Sequence, residues 1–237
     1  LIYTEKDFED FRNGTRRATD WTSLIFSKFS PQTQHDINFS GGSSKIQYYI
    51  GGGYSYQEGF FKSGDLNYDK YNLRANISAE LAKGLKLELN LSGMADQQNN
   101  PYTSSVDIIR NYWKQGVLFP AYADPENTRL NYEGLDLEQN TLAMIDSDIS
   151  GYRKYKKKTF QSSAALHYDF SNLSQALTGF SAKALIGYDY RVDNNAIFRK
   201  EYYQYAYNAA TNTYNQKLYN LSSPNQMKRE FFDKQQL

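Results

Sequence analysis

Side chains suited to covalent or metal chemistry are scarce in this sequence. Its 237 residues contain no cysteine and only two histidines, His35 and His167. That composition removes thiolate nucleophiles, disulfide frameworks and thiolate metal sites. The histidines lie far apart, and each falls inside a strand-like pattern, so a polar strand residue is the simpler reading than a base or a ligand. Asp146 and Asp148 stand two apart in IDSDIS and could offer oxygens to a calcium ion. The glycine and terminal glutamate of a calcium loop are missing, which favours a solvated loop edge. The run Gly51, Gly52, Gly53 is not followed by a helix and has no phosphate-cradling logic. It suits a bent strand that approaches a neighbour closely. The basic run RKYKKK (153–158) is isolated in a chain with 27 Lys+Arg against 26 Asp+Glu and a net charge of +1. That balance gives no case for nucleic acid. No catalytic constellation stands out, and neither enzyme activity nor a cofactor is expected.

The residues best suited to binding are aromatic. Twenty-two Tyr and 14 Phe raise the aromatic share to 16%, on a chain whose mean hydropathy is −0.75. That content argues against disorder of the whole chain. No stretch approaches the roughly 20 apolar residues of a membrane helix. Tyr102, Tyr112, Trp113, Tyr122 and Tyr132 fall in one long connection and are the candidate substrate-binding residues, since specificity rides on loops held by a rigid scaffold. The same rings could instead pack the loop onto itself or against a partner. Within this connection VDIIRNYWKQG reads as a short amphipathic helix. A second tyrosine-rich stretch, 201–216, has the same two readings.

What positions these loops is a set of strands. In 69–81, Tyr71, Leu73, Ala75, Ile77, Ala79 and Leu81 alternate with Lys70, Asn72, Arg74, Asn76, Ser78 and Glu80. In 85–93, four leucines alternate with Lys86, Glu88, Asn90 and Ser92. Such a period of two means strands with one apolar and one polar face. The segments 45–57, 159–170 and 180–191 behave alike, and weaker strands are expected at 34–40 and from about 227 to the C-terminus. Residues 1–29 lack alternation and read as a short helix or turn followed by a loop.

Seven strands in hairpin order result, and their connections alternate short and long. The long ones cover about 98–156 and 193–226. An up-and-down outer-membrane barrel has this arrangement, with tight turns on one side and long loops on the other. Tyr and Phe near strand ends match the aromatic girdles of such barrels. Seven strands are too few to close one, and an open edge in lipid is costly. The sequence is therefore expected to be part of a larger barrel, with strands beyond Leu237 and a domain before Leu1. The fold class is all-β, a transmembrane antiparallel up-and-down β-barrel segment. At the rim of such a barrel the 153–158 run could meet the phosphates and sugars of lipopolysaccharide, or be a plain solvated loop end.

The residues also carry a resemblance. TDWTSLIF (19–26), INFSGGSSKIQYYIGGGYSYQEGFF (37–61) and YDKYNLRANISAELAKGLKLELNLSG (68–93) resemble the SusC/RagA family of TonB-dependent outer-membrane transporters. The stretches 143–170 and 180–207 look like the same family further along its barrel. This resemblance implies a 22-stranded barrel preceded by a plug, with residues 1–33 connecting the plug to the barrel and 34–237 forming early strands. It also implies a SusD/RagB-like surface lipoprotein partner, energy from the TonB–ExbB–ExbD system, and import of a glycan or peptide. Outer-membrane lipid and lipopolysaccharide would surround the barrel. The rival readings are a passive porin or structural barrel, and a secreted β-rich adhesin or carbohydrate-binding module.

Overall fold

A computed structural model describes residues 4–14, 18–132, 139–219 and 227–236. Seven strands form one antiparallel sheet: β1 (Gln32–Gly42), β2 (Ile46–Glu58), β3 (Asn67–Ala82), β4 (Leu85–Pro101), β5 (Gly151–Asp169), β6 (Ser181–Arg199) and β9 (Met227–Gln236). Neighbours in the sheet follow chain order except between β6 and β9, where the hairpin β7 (Tyr202–Asn208) and β8 (Thr213–Tyr219) intervenes as a separate two-stranded sheet. Among the described residues there are also five α-helices, α1 (Glu5–Arg12), α2 (Trp21–Ile25), α3 (Ser105–Lys114), α4 (Thr141–Ile145) and α5 (Ser147–Ser150), and two short 3-10 turns, Phe170–Asn172 and Gln175–Leu177. The expected helix near the start is α1, closed by a capping box between Thr4 and Asp7. Parts of the two expected long loops, 133–138 and 220–226, lie outside the described residues, as do 1–3, 15–17 and 237.

The sheet buries almost none of its apolar face. Ile37 and Leu73 are 60% and 59% exposed, and Phe39, Ile50, Leu91 and Ile186 are exposed as well. Register puts these residues on one side: Ile37 opposes Gly52, Gly52 opposes Leu73, and Leu73 opposes Gly93. Side chains alternate across a strand, so the opposite side carries Arg74, Asn76, Glu88 and Lys183. In water such a face would be a large exposed patch. It matches instead the lipid-facing band of a barrel wall, alternating with a wet interior. Both outer strands are unpaired on one edge among the described residues, so the sheet is a wall segment and not a closed barrel.

Antiparallel order segregates the connections by length. Residues 43–45, 83–84 and 170–180 turn the chain at one end, and 59–66, 102–150 and 200–226 at the other. The tightest turn relies on Gly84, whose φ of +80° suits glycine. β4, β5 and β6 run 17, 19 and 19 residues, well beyond the roughly 9–11 needed to span a bilayer. Two expectations are corrected here. The loop expected over 98–156 is reduced to 102–150, and the run 153–158, expected at a loop end or rim, lies within β5. The cause is ladder pairing between residues that are polar on both faces: Gln97 opposes Lys156 and Lys156 opposes Asn194 on one face, and Asp96 opposes Lys157 and Lys157 opposes Asp193 on the other. Such pairing holds the backbone while erasing the alternation that reveals a strand.

The Gly51–Gly53 run sits inside β2 as expected. A side chain at Gly53 would collide with the Asn72 side-chain amide oxygen and the Asp36 carboxylate, and one at Gly51 with the Tyr49 phenol. The room these glycines leave is filled by side chains on the polar face.

Candidate functional site

The buried core lies at the long-connection end, not in the sheet. Trp21, Ile25, Phe61, Ile108, Ala121, Met144 and Ile145 form one cluster there, and Leu130, Ala143, Tyr202 and Tyr219 a second. β1 runs from this end toward the short turns, so residues 18–31 belong by position with the connecting loops. Trp21 donates through Nε1 to the Gly116 carbonyl at 3.3 Å, and the Lys62 N–H to the Ile25 carbonyl at 2.8 Å.

Polar contacts fix the loops to one another. The Asn140 side-chain amide, fully buried, donates to the carbonyls of Ala121 and Asn131 at 2.8 and 2.9 Å, while its oxygen accepts from the Leu142 N–H at 3.0 Å. Asn111 donates to the Gln139 carbonyl at 2.8 Å and to Thr141 Oγ1 at 2.7 Å. The hairpin is docked by backbone pairing, with the Tyr205 N–H on the Leu130 carbonyl at 2.8 Å and the Tyr132 N–H on the Tyr205 carbonyl at 3.1 Å. Burial opposes ionisation of Asp124, yet hydrogen bonds from Thr128 and from the backbone of Thr128 and Arg129 outweigh it and hold the carboxyl below its usual range.

Between these loops opens a cleft of about 530 Å³. Leu130, Leu142, Ile145 and Ile149 supply apolar wall, and Tyr122, Tyr203 and Tyr205 aromatic surface. Lys62 and Asp146 bring one charge of each sign. Burial, with the nearby Asp65 and Asp148 charges, pushes the Asp146 carboxyl above its ordinary range, against hydrogen bonds that favour ionisation. Asp146 also caps α5 by accepting from the Asp148 N–H at 2.8 Å. The expected solvated loop edge is therefore part of a cleft wall. Among the described residues, no group of three or more His, Asp or Glu side chains converges on a point.

The five aromatic candidates do not form one patch. Tyr122 lines the cleft. Tyr112 points into the core, its ring edge-on to Phe26 at 4.9 Å and its hydroxyl 2.7 Å from Thr22 Oγ1. Trp113, the next residue on α3, faces outward and is 79% exposed. Tyr132 packs on the second cluster with the Lys217 ammonium 5.9 Å from its ring. Tyr102 ends β4's ladder, with the Arg153 and Arg199 guanidiniums 5.1 and 5.7 Å from its ring. Sequence reasoning missed Lys62 and the apolar wall. Tyr203 and Tyr205 were signalled only by the tyrosine-rich stretch 201–216.

An exposed apolar strip on a long-stranded antiparallel wall, crowned at one end by packed loops around a cleft, is the architecture of an outer-membrane barrel segment. Over 174 residues the chain is 24% identical to the TonB-dependent receptor P3 of Formosa agariphila, covering 70% of this chain and 17% of that protein. In fold it is similar to the RagAB peptide transporter, with a TM-score of 0.58 at 20% identity over 78% of this chain. The "closed-closed" and "open-open" states of the RagAB peptide importer give 0.55 and 0.57 at 21% identity, each over 77% of this chain. These structural likenesses speak for the fold. No protein-family model matches the chain. The chain spans about a fifth of the length of these relatives. Sequence and fold likeness thus agree with the resemblance to TonB-dependent transporters.

Proposed function

We propose that the chain forms part of the barrel wall and outer loops of an outer-membrane active transporter, energised through TonB and working with a SusD-like surface lipoprotein. The observation that carries this reading is the segregation of an exposed apolar face from a buried loop core at one end of the same sheet. Residues 34–237 supply strands and loops, and the segment ahead of β1 leads into the barrel.

The substrate favoured by the cleft is an oligopeptide. Its aliphatic wall suits an apolar side chain, and Lys62 and Asp146 offer opposite charges to backbone or termini. A sugar subsite relies more on open aromatic platforms. The relatives with solved structures are described as peptide transporters. We assign substrate contact to Tyr122, which lines the cleft; the 79% exposure of Trp113 supports a contact with the lipoprotein.

The test is extraction of the native protein from membranes. Recovery only with detergent, at a mass well above 27.4 kDa and together with a lipoprotein, supports the transporter. A lone species soluble without detergent overturns it.

A further inference from the structure

The two faces of the β7–β8 hairpin meet opposite surroundings. Side chains alternate across a strand, so Tyr202, Gln204 and Ala206 share one face of β7, and Tyr203, Tyr205 and Tyr207 the other. The first set is buried, with Tyr202 stacked on Tyr219 of β8 at 5.8 Å between ring centres. The second set is left open: Tyr203 is 50% exposed, Tyr207 is 42% exposed and Tyr205 is half-buried. Register adds Leu218, Gln216 and Tyr214 of β8 to this face, opposite Tyr203, Tyr205 and Tyr207 in turn.

Tyr203 and Tyr205 line the cleft, and Tyr207 continues their row toward the hairpin tip. Alternate residues of a strand stand about 7 Å apart, so the row is about 13 Å long. It is held at both its middle and its tip. Tyr205 pairs through its backbone with Leu130 and Tyr132. The Tyr207 hydroxyl donates to Asn212 Oδ1 at 2.9 Å, and its ring lies 5.4 Å from that of Tyr214.

The two ends of the row differ in charge. The Lys200 N–H donates to the Ser150 carbonyl at 3.1 Å, which sets the Tyr203 end beside α5 and its capping residue Asp146. Lys62 borders the same cleft, with its ammonium on the Ser23 carbonyl at 3.0 Å. At the Tyr207 end the Arg129 guanidinium lies 4.5 Å from the centre of the Tyr214 ring, partly exposed and 3.7 Å from the Asp124 carboxylate.

We infer that Tyr203, Tyr205 and Tyr207 form a track that extends the cleft and binds an oligopeptide in extended form, one ring to every second side chain. An extended peptide repeats every two residues at the same spacing as the strand beneath it, so rings and alternate side chains keep step along the row. Half-exposed phenols continuous with a cleft supply aromatic contact to apolar side chains. The termini of a peptide also match charge of both signs at the ends of the row, which a neutral glycan does not. A tripeptide is accommodated by the cleft alone, whereas about eight residues fill cleft and row together. This inference deepens the peptide reading proposed above and rests on it.

The test is calorimetric titration of the native protein in detergent with three peptides, LSLSLSLS, its isomer LLLLSSSS and the tripeptide LSL, after subtraction of binding to detergent alone. The alternating octapeptide should bind at least about fivefold more tightly than its isomer. Tyr207→Ala should remove that advantage and leave LSL unchanged, while Tyr207→Phe, which keeps the ring, should retain it. Unchanged LSL binding also establishes that the hairpin is folded, because Tyr203 and Tyr205 on the same strand line the cleft. Equal affinity of the two octapeptides in the unaltered protein overturns the track whatever the variants do, and so does full affinity for LSLSLSLS in Tyr207→Ala. Both results leave the cleft reading standing. Loss of the lipoprotein from Tyr207→Ala with octapeptide binding intact assigns the row to that partner and overturns the track. Failure of all three peptides to bind overturns the peptide reading, and the track with it.

Discussion

Ser147 donates twice to the Asp65 carboxylate, through its backbone N–H at 2.8 Å and its hydroxyl at 2.6 Å. The two residues are 82 positions apart and belong to different connections. With Ser63 Oγ donating to the Ile145 carbonyl at 2.6 Å, they tie the 59–66 loop to the start of α5. Replacing Asp65 with Ala removes both charge-assisted bonds and costs about 1–3 kcal/mol. Hydrogen exchange should then accelerate at α4 and α5 while β3 and β4 keep their protection.

Asp124 sets a pH dependence. Its carboxyl is held below the usual range by Thr128 and Arg129, so its contribution to stability is present above that range and is lost as pH falls through the depressed value. Acidification should release the 122–130 loop, read as faster exchange of the Thr128 and Arg129 amides after correction for intrinsic rates. Asp124→Asn should abolish that pH response. Asp146 works in the opposite sense. With its folded value raised, the stability it contributes is full at low pH and fades as pH rises through that raised value.

Gly151 is the hinge from α5 into β5. Its φ is +100°, and an added Cβ would lie 2.1 Å from the Phe198 carbonyl oxygen. Gly151→Ala should destabilise the loop end by about 1–3 kcal/mol. Limited proteolysis within 139–150 would detect the loss.

Trp113 and Tyr112 are neighbours with opposite fates, and their variants should separate accordingly. Trp113→Ala should change thermal stability by less than about 0.5 kcal/mol and weaken co-purification of the lipoprotein. Tyr112→Ala should cost about 3 kcal/mol or more, because its ring packs against Phe26. Tyr122→Ala should reduce peptide uptake with smaller effects on folding. A Trp113 variant with undiminished lipoprotein would remove that residue from the interface.

The strands were legible where one face was apolar. The leucines at 85, 87, 89 and 91 alternate with polar residues because lipid rewards one parity alone. From Gln97 to Asn100 and from Arg153 to Lys158 both faces are polar, so the ladder continues without a period to reveal it. α3 was legible from its apolar spacing, which places Ile108 and Asn111 in the core. The cleft was not. It joins residues from three separate connections and from the segment ahead of β1, and nothing in the local sequence around Lys62 records that Asp146 and Tyr203 line the same cleft. Tyrosine identity was equally silent, since the same residue type packs at 112, lines the cleft at 122 and stacks under cations at 102.

The polar continuation of β4, β5 and β6 has a mechanical consequence. From Ala95 to Pro101 the ladder rises roughly 20 Å along the strand, and its hydrogen bonds make it a stiff parapet instead of a floppy fringe. On the transporter reading proposed above, the cleft is therefore carried at a fixed standoff beyond the apolar band of the wall.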